Sequence, residues 1–260
     1  MPRVRLAVAL LVPEPAATEI DGLRRALGDR GLSKVVPHIT LVPPVNVPAD
    51  GLAAALRVVR EVAATTRPFT VKLGPPTTFA PVTPVVYLGV ADGAEAVHEL
   101  RNRLRVAPLD RPTEHDFVPH VTIDEDREDD RIPPAIDALR DYEVDVRFDG
   151  VDVLQDKVAG PRRWNSIAES RFAPPLVVGR GGMPLSITVS RRDVEASALL
   201  GDAPTPPGTV VVVARRDGDV VAAARAIVAE GELVLREVSG DPDASRHLLR
   251  AVTATTGDRS

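Results

Sequence analysis

Three features of the sequence predict an α+β protein in two parts. Short runs at strand period alternate with longer runs at helical period. A Pro-His-x-Thr stretch occurs twice in matching surroundings, and the composition breaks at residues 173–184. The prediction is a duplicated, bilobal arrangement over 1–175 around a central cleft, with a small α+β domain over 176–260. At 260 residues the chain is long enough to bury one core or two.

The elements follow in order. Residues 4–12 (VRLAVALLV) are almost continuously apolar, as in a strand buried on both faces. Residues 18–28 set Ile20, Leu23 and Leu27 at helical spacing, with Arg24 and Arg25 expected outward. A strand is expected at 36–42, and a helix at 51–64 on Leu52, Leu56 and Val59. Phe69–Leu73 and Val85–Val90 read as strands, and Val97, Leu100 and Leu104 mark a helix at 94–105. A strand at 118–123, a short helix near 134–140, one or two strands in VDVRFDGVDVLQD and a last one in WNSIAES complete the first part. Beyond the break at 173–184 comes a second Pro/Gly break at Ala203–Gly208. A hairpin then turns at Asp217-Gly218-Asp219, followed by a strand at Leu233–Val238 and a helix at Ala244–Thr253.

Composition narrows the function classes. A formal charge of −5 argues against a basic nucleic-acid coat or a polybasic membrane binder, though not against a local basic cleft. Zero cysteines remove disulfides, thiolate nucleophiles and every Cys-based metal site. The apolar run Leu6–Val12 spans only seven residues and is followed by acidic sequence with no small-residue cleavage site. It reads as a buried strand and not a signal peptide, and no run nears the ~20 apolar residues of a membrane span. A cytoplasmic protein is expected, with no cofactor and no metal.

The repeat carries the chemistry. A strand and a helix precede Pro37-His38-Ile39-Thr40-Leu41, and another strand and helix precede Pro119-His120-Val121-Thr122-Ile123. Val4 to His38 is 34 residues and Val85 to His120 is 35. In a strand, residues i and i+2 share a face, so each His neighbours its Thr while Ile39, Leu41, Val121 and Ile123 point into a core. A pseudo-two-fold between the copies sets both His-Thr pairs at one cleft. Two imidazoles suit acid–base chemistry near neutral pH, and two Thr hydroxyls can donate to the non-bridging oxygens of a phosphoryl transition state.

At these residues the chain resembles the 2H phosphoesterase (2′-5′ RNA ligase-like) superfamily. The likeness spans roughly residues 1–172 and includes HITL at His38, TFAPVTPVVYLGV at Thr78–Val90 and FVPHVTI at Phe117–Ile123. It implies antiparallel sheets with flanking helices around the cleft. It also implies metal-independent opening of 2′,3′-cyclic phosphates on nucleotides or RNA ends, with 2′-5′ RNA ligation as the reverse activity. The catalytic set carried over is His38, Thr40, His120 and Thr122, with His38 as proton donor and His120 as acceptor. Phe79 and Tyr87 are candidates for stacking on a substrate base, or simply for packing, and Trp164 is open to the same two readings. One departure is the acidic Asp124-Glu125-Asp126 after the second motif, where bacterial RNA-processing relatives often carry a basic residue. Arg127, Arg111 or Lys72 are the residues that could compensate.

Other readings stay open. The cleft of a non-enzymatic module would bind a phosphorylated ligand or RNA without turnover. His98, His115 and His247 read as surface histidines, and a zinc site from His115, Asp116 and His120 is the weakest option. The C-terminal part faintly resembles a degenerate acetyltransferase of the GNAT kind. Its Ser239-Gly240-Asp241-Pro242-Asp243 loop has one Gly and two acids where a coenzyme A pyrophosphate would need donors.

Overall fold

In a computed structural model, residues 2–113, 115–125, 128–156, 163–173, 176–178, 184–201, 206–229 and 232–257 are described. The chain divides into two compact units, Met1–Ser166 and Ile167–Ser260. In chain order the first contains β1 (Arg3–Leu11), α1 (Ala16–Leu27), β2 (His38–Pro48), α2 (Leu52–Ala64), β3 (Phe69–Thr78) and β4 (Val86–Asp92). It continues through α3 (Ala94–Leu104), β5 (His120–Asp124), α4 (Ile132–Ala138), β6 (Val144–Phe148), β7 (Gly150–Asp156) and β8 (Trp164–Arg171), the last of which straddles the division.

These eight strands form one sheet in the order β6-β3-β4-β5-β2-β1-β7-β8. Strands β1 to β7 pair antiparallel throughout. The order is symmetric about its middle: β2 and β5, which open on the two histidines, lie side by side, with β1 and β4 outside them. The copies meet where Ile39 opposes Val121. Leu10 opposes Ile39 in one copy and Leu88 opposes Val121 in the other. The second copy therefore spends four more residues than the first between strand and motif, not the one that counting from Val4 and Val85 implies. The excess lies in the longer segment after α3.

The clean alternation of residues 144–156 is two strands broken at Asp149, and they join the sheet near opposite ends. Laid flat, β6 and β7 would be six strand spacings apart, about 29 Å. One linking residue cannot cover that, because extended chain reaches only about 3.5 Å per residue. The sheet is therefore curled, bringing its flanks together.

The helices cover the core side. Helix α1 buries Ala16, Ile20, Asp21 and Arg24, and ends at Gly28, whose φ of +79° suits a residue without a Cβ. The expectation that Arg24 faces outward is overturned: it is 4 % exposed. Its guanidinium is held inside by Asp21 (2.9 Å), Asp29 (2.8 Å) and the Val35 carbonyl (3.0 Å), which together replace its water shell. Helix α3 likewise buries Arg101 beside Val97, Leu100 and Leu104. Each helix packs against the motif strand of the other copy, α1 on β5 and α3 on β2.

The second unit holds β9 (Leu176–Val178), β10 (Pro184–Ser190), α5 (Val194–Leu200), β11 (Thr209–Arg216), β12 (Asp219–Ala229), β13 (Glu232–Gly240) and α6 (Pro242–Gly257). Its antiparallel sheet runs β13-β12-β11-β10-β9. The hairpin turns at Asp217 and Gly218, both at positive φ, as a two-residue loop between right-twisted strands requires. The sequence reading did not anticipate β10 or α5. Helix α5, together with the expected C-terminal helix, explains why VVVVA and VVAAA carry no alternation. Val212, Ala214, Ala222 and Ala224 pack with Ala244 and Leu248 of α6, while Val211, Val213 and Ala223 pack with Ala196 and Leu200 of α5. A sheet covered on both faces needs apolar residues on both. Parts of the two expected breaks, residues 174–175, 179–183 and 203–205, lie outside the described residues.

Candidate active site

Ile39, Leu41, Val121 and Ile123 are fully buried, each contributing about 1.5–3 kcal/mol of apolar burial. That fixes the register of β2 and β5, since a slip of one residue would turn these side chains out of the core. His38, Thr40, His120 and Thr122 consequently share the opposite face and are half-buried there. With Ile39 opposite Val121 in an antiparallel pair, His38 lies beside Thr122 and His120 beside Thr40. The structure thus brings the four residues together as two crossed pairs, each His neighbouring the other copy's Thr as well as its own.

Each imidazole is held by its own chain. His38 Nδ1 is 2.8 Å from the Val36 carbonyl, and His120 Nδ1 is 2.7 Å from the Val118 carbonyl. A carbonyl only accepts, so each Nδ1 carries the proton and each neutral ring keeps its lone pair on Nε2. The intervening prolines contribute twice. They keep Val36 and Val118 out of helical backbone, and their own carbonyls accept from Val12 N (3.0 Å) and Val90 N (3.2 Å), pinning the strand starts. Sequence reasoning missed the two valines. The signal was present, because Val-Pro-His occurs in both copies.

Burial pushes both histidines below the ordinary 6.5, against the opposing pull of the carbonyl bonds. His38 is lowered further by the Arg24 guanidinium and by His120, and is raised by Glu125. Both rings are therefore mainly neutral near pH 7.

The surroundings differ. Phe79 and Tyr87 stack on each other at 4.0 Å, and each ring centroid is 5.1 Å from that of His120. Tyr87 is buried opposite Thr122, whereas Phe79 is half-buried beside the exposed Val82. At the corresponding positions beside β2, Ala9 opposes Thr40 and Leu11 opposes His38, so no ring flanks the first histidine there. Its neighbourhood is charged instead. Glu125 pairs with Lys34, and its backbone N–H reaches Asp29 Oδ1 at 3.4 Å. Of the acids after the second motif, Asp124 is buried and Glu125 is neutralised by that lysine; Asp126 lies outside the described residues.

The remaining candidates lie outside the two crossed pairs, Trp164 on the same sheet face through its packing on Ala7 and Ala9. Lys72 pairs with Glu143 at 3.3 Å, Arg111 donates to the Pro44 carbonyl, and Arg127 lies outside the described residues. His98 packs edge-on against Phe117 at 5.2 Å. Trp164 packs with Ala7, Ala9, Val35 and Leu154 under the Arg5 guanidinium. Among the described residues, no group of three His, Asp or Glu side chains could hold a metal ion. In the second unit, Asp241 Oδ1 accepts from Asp243 N (3.0 Å) and Ala244 N (2.8 Å), so a carboxylate already occupies the first N–H groups of α6.

Comparison with known proteins gives the family and the fold. Residues 12–159 match the model of the 2′-5′ RNA ligase superfamily. A Bacillus licheniformis protein, provisionally named a phosphoesterase, is 29% identical over 131 residues, covering 50% of this chain and 77% of its own. One from Bacillus cytotoxicus with the same provisional name is 32% identical over 120 residues, covering 46% and 69%. Escherichia coli LigT, crystallised with 3′-AMP, superposes with a TM-score of 0.54 at 18% identity, covering 66% of this chain and 99% of LigT. At that identity the likeness speaks for the fold. No helix among the described residues is long and apolar enough to cross a membrane.

Proposed function

Starting from a chain that belongs to the 2′-5′ RNA ligase superfamily, we propose a metal-independent phosphoesterase that opens 2′,3′-cyclic phosphates on nucleotides or RNA ends in the cytoplasm. The observation that carries this reading is the pair of imidazoles with matched Nδ1 bonds, each beside two Thr hydroxyls on one sheet face. His120 Nε2 takes a proton from water as the water oxygen bonds to phosphorus. The bond from phosphorus to one ribose oxygen breaks, and His38 Nε2–H protonates that oxygen. Cyclic diester plus water becomes a phosphomonoester and a free hydroxyl, with one proton moved from His38 to His120 and returned through solvent. Thr40 and Thr122 donate to the non-bridging oxygens, whose charge grows on the way. With a 5′-hydroxyl in place of water, the same arrangement joins two RNA ends.

This reading favours an enzyme over a binder, because binding needs donors but not two Nε2 lone pairs fixed in one tautomer. A coenzyme A reaction in the second unit is disfavoured by the Asp241 carboxylate, which fills the turn a pyrophosphate would need. The test is phosphorus NMR of a 2′,3′-cyclic nucleotide and of an RNA with a cyclic-phosphate end, each incubated with the protein in EDTA. A phosphomonoester signal is expected. Activity that disappears in EDTA and returns with a divalent ion would overturn the metal-independent reading, and no turnover of either substrate would overturn the function.

A further inference from the structure

A cavity of about 230 Å³ is lined by Arg5, Pro44, Val45, Asn46 and Arg111 and includes neither histidine. Resting on the function above, we propose that it holds a backbone phosphate of an oligonucleotide whose cyclic end occupies the two-histidine site. The protein would then act on RNA ends rather than on free cyclic nucleotides.

Face comes first. Strand β1 runs without an inserted residue, its register irregularities falling on the β2 side. Arg5, Ala7, Ala9 and Leu11 therefore share one face, and Ala9 and Leu11 stand opposite Thr40 and His38. Asn46 opposes Arg5. The cavity thus lies on the same sheet face as the active-site residues.

Distance comes next. From Ala9 to Arg5 is four residues of strand, about 13 Å. A cyclic phosphate bound between the histidines does not reach that far, but the chain attached to it can.

Charge gives the ligand class. Among the described residues neither Arg5 nor Arg111 makes an ion pair. Arg111 is anchored on the Pro44 carbonyl and Arg5 lies 6.0 Å over the Trp164 ring. The carboxylate across from Arg5, Asp156, is occupied by Arg163 through two bonds of 3.0 Å. Arg3 approaches from the same edge, donating to the Asn46 carbonyl at 3.4 Å. Asp156 acts on Arg5 as well as on Arg163, so one carboxylate serves two guanidiniums and Arg111 adds a third positive charge. In a chain of net charge −5 that local excess selects an anion, and guanidinium geometry suits phosphate.

The experiment compares the protein with an Arg5→Gln/Arg111→Gln double variant, using a labelled eight-nucleotide RNA ending in a 2′,3′-cyclic phosphate. Binding is read by anisotropy in a His120→Ala background, turnover in the intact site. The double variant is expected to bind the octamer about tenfold more weakly. Its plot of log K against log salt should flatten by about 0.7, the value for one phosphate neutralised on a single strand. Turnover of the cyclic mononucleotide should not change, and the Lys/Lys variant should recover most octamer binding. Unchanged octamer binding, or equal loss with octamer and mononucleotide, would overturn the proposal. Displacement of ATP or pyrophosphate from this cavity, without an effect on the octamer, would make it a polyphosphate site and overturn it too. If neither substrate is turned over while octamer binding still depends on the two arginines, the function above fails and this site stands.

Discussion

The two halves of the candidate site share a scaffold and differ in what surrounds it. In both, a Val carbonyl fixes the imidazole and a Pro carbonyl pins the strand start. Around His120 the environment is aromatic, with Phe79 and Tyr87 at contact distance. Around His38 it is charged, with Arg24 buried nearby and Glu125 close enough to act on the ring. Repetition thus supplies the geometry that the two proposed proton transfers need, and divergence gives the proposed donor and acceptor different surroundings. A fully symmetric site would leave both imidazoles with one titration behaviour, whereas acid–base catalysis needs one ring of each kind at once.

The largest expected effect tests the shared part. His38→Ala and His120→Ala should each cut turnover of a cyclic phosphate by roughly 10²–10⁴-fold while far-UV circular dichroism stays unchanged. Near wild-type turnover in either would break the pairing. Thr40→Val and Thr122→Val come next. Because each hydroxyl sits beside both histidines, the two losses should be alike, on the order of 10²-fold in kcat with little change in KM. A large loss from one alone would mean that the crossed pairs are not equivalent.

A smaller effect tests the divergent part. Phe79→Ala should raise KM for a base-bearing cyclic nucleotide about tenfold, the usual scale of one base–aromatic stack. It should leave a cyclic ribose phosphate without a base unaffected. If both substrates respond equally, Phe79 only supports Tyr87 and His120.

The smallest effect is in pH. Both histidines are lowered from 6.5 mainly by burial, so the kcat/KM optimum, midway between two depressed values, should lie on the acid side of 6.5. For stability the sign follows from linkage. Below 6.5 the unfolded chain takes up protons that the folded rings resist, so stability is full above 6.5 and declines as pH falls towards the folded values. A His38→Asn/His120→Asn variant should show a flatter dependence of thermal midpoint on pH across that window.

Much of the site was legible because its signal is local. Two residues of spacing on a strand set His beside Thr, and the flanking Ile39, Leu41, Val121 and Ile123 set the face. What lay hidden depends on partners far along the chain. The pattern at 144–156 is continuous, yet β6 and β7 join opposite flanks, a choice made by pairing with β3 and β1 rather than by periodicity. Arg24 looked like a surface residue because charge usually stays in water, and its burial became visible only with Asp21, Asp29 and the Val35 carbonyl assembled around it. Strand β2 runs on through Pro43 and Pro44 to Pro48, a stretch where proline reads as a strand breaker. The irregular register against β1 accommodates it.

The exchange of helices between the copies has a consequence for how the molecule can be divided. Since α1 supports β5 and α3 supports β2, each histidine stands on a foundation supplied by the other half. Cleaving the chain in the segment 65–68, between α2 and β3, would yield two fragments with a complete sequence motif apiece and neither motif strand backed by its helix. Such fragments should be inactive when separate and regain activity when mixed. The repeat is double in sequence, but each copy's motif strand rests on the other copy's helix.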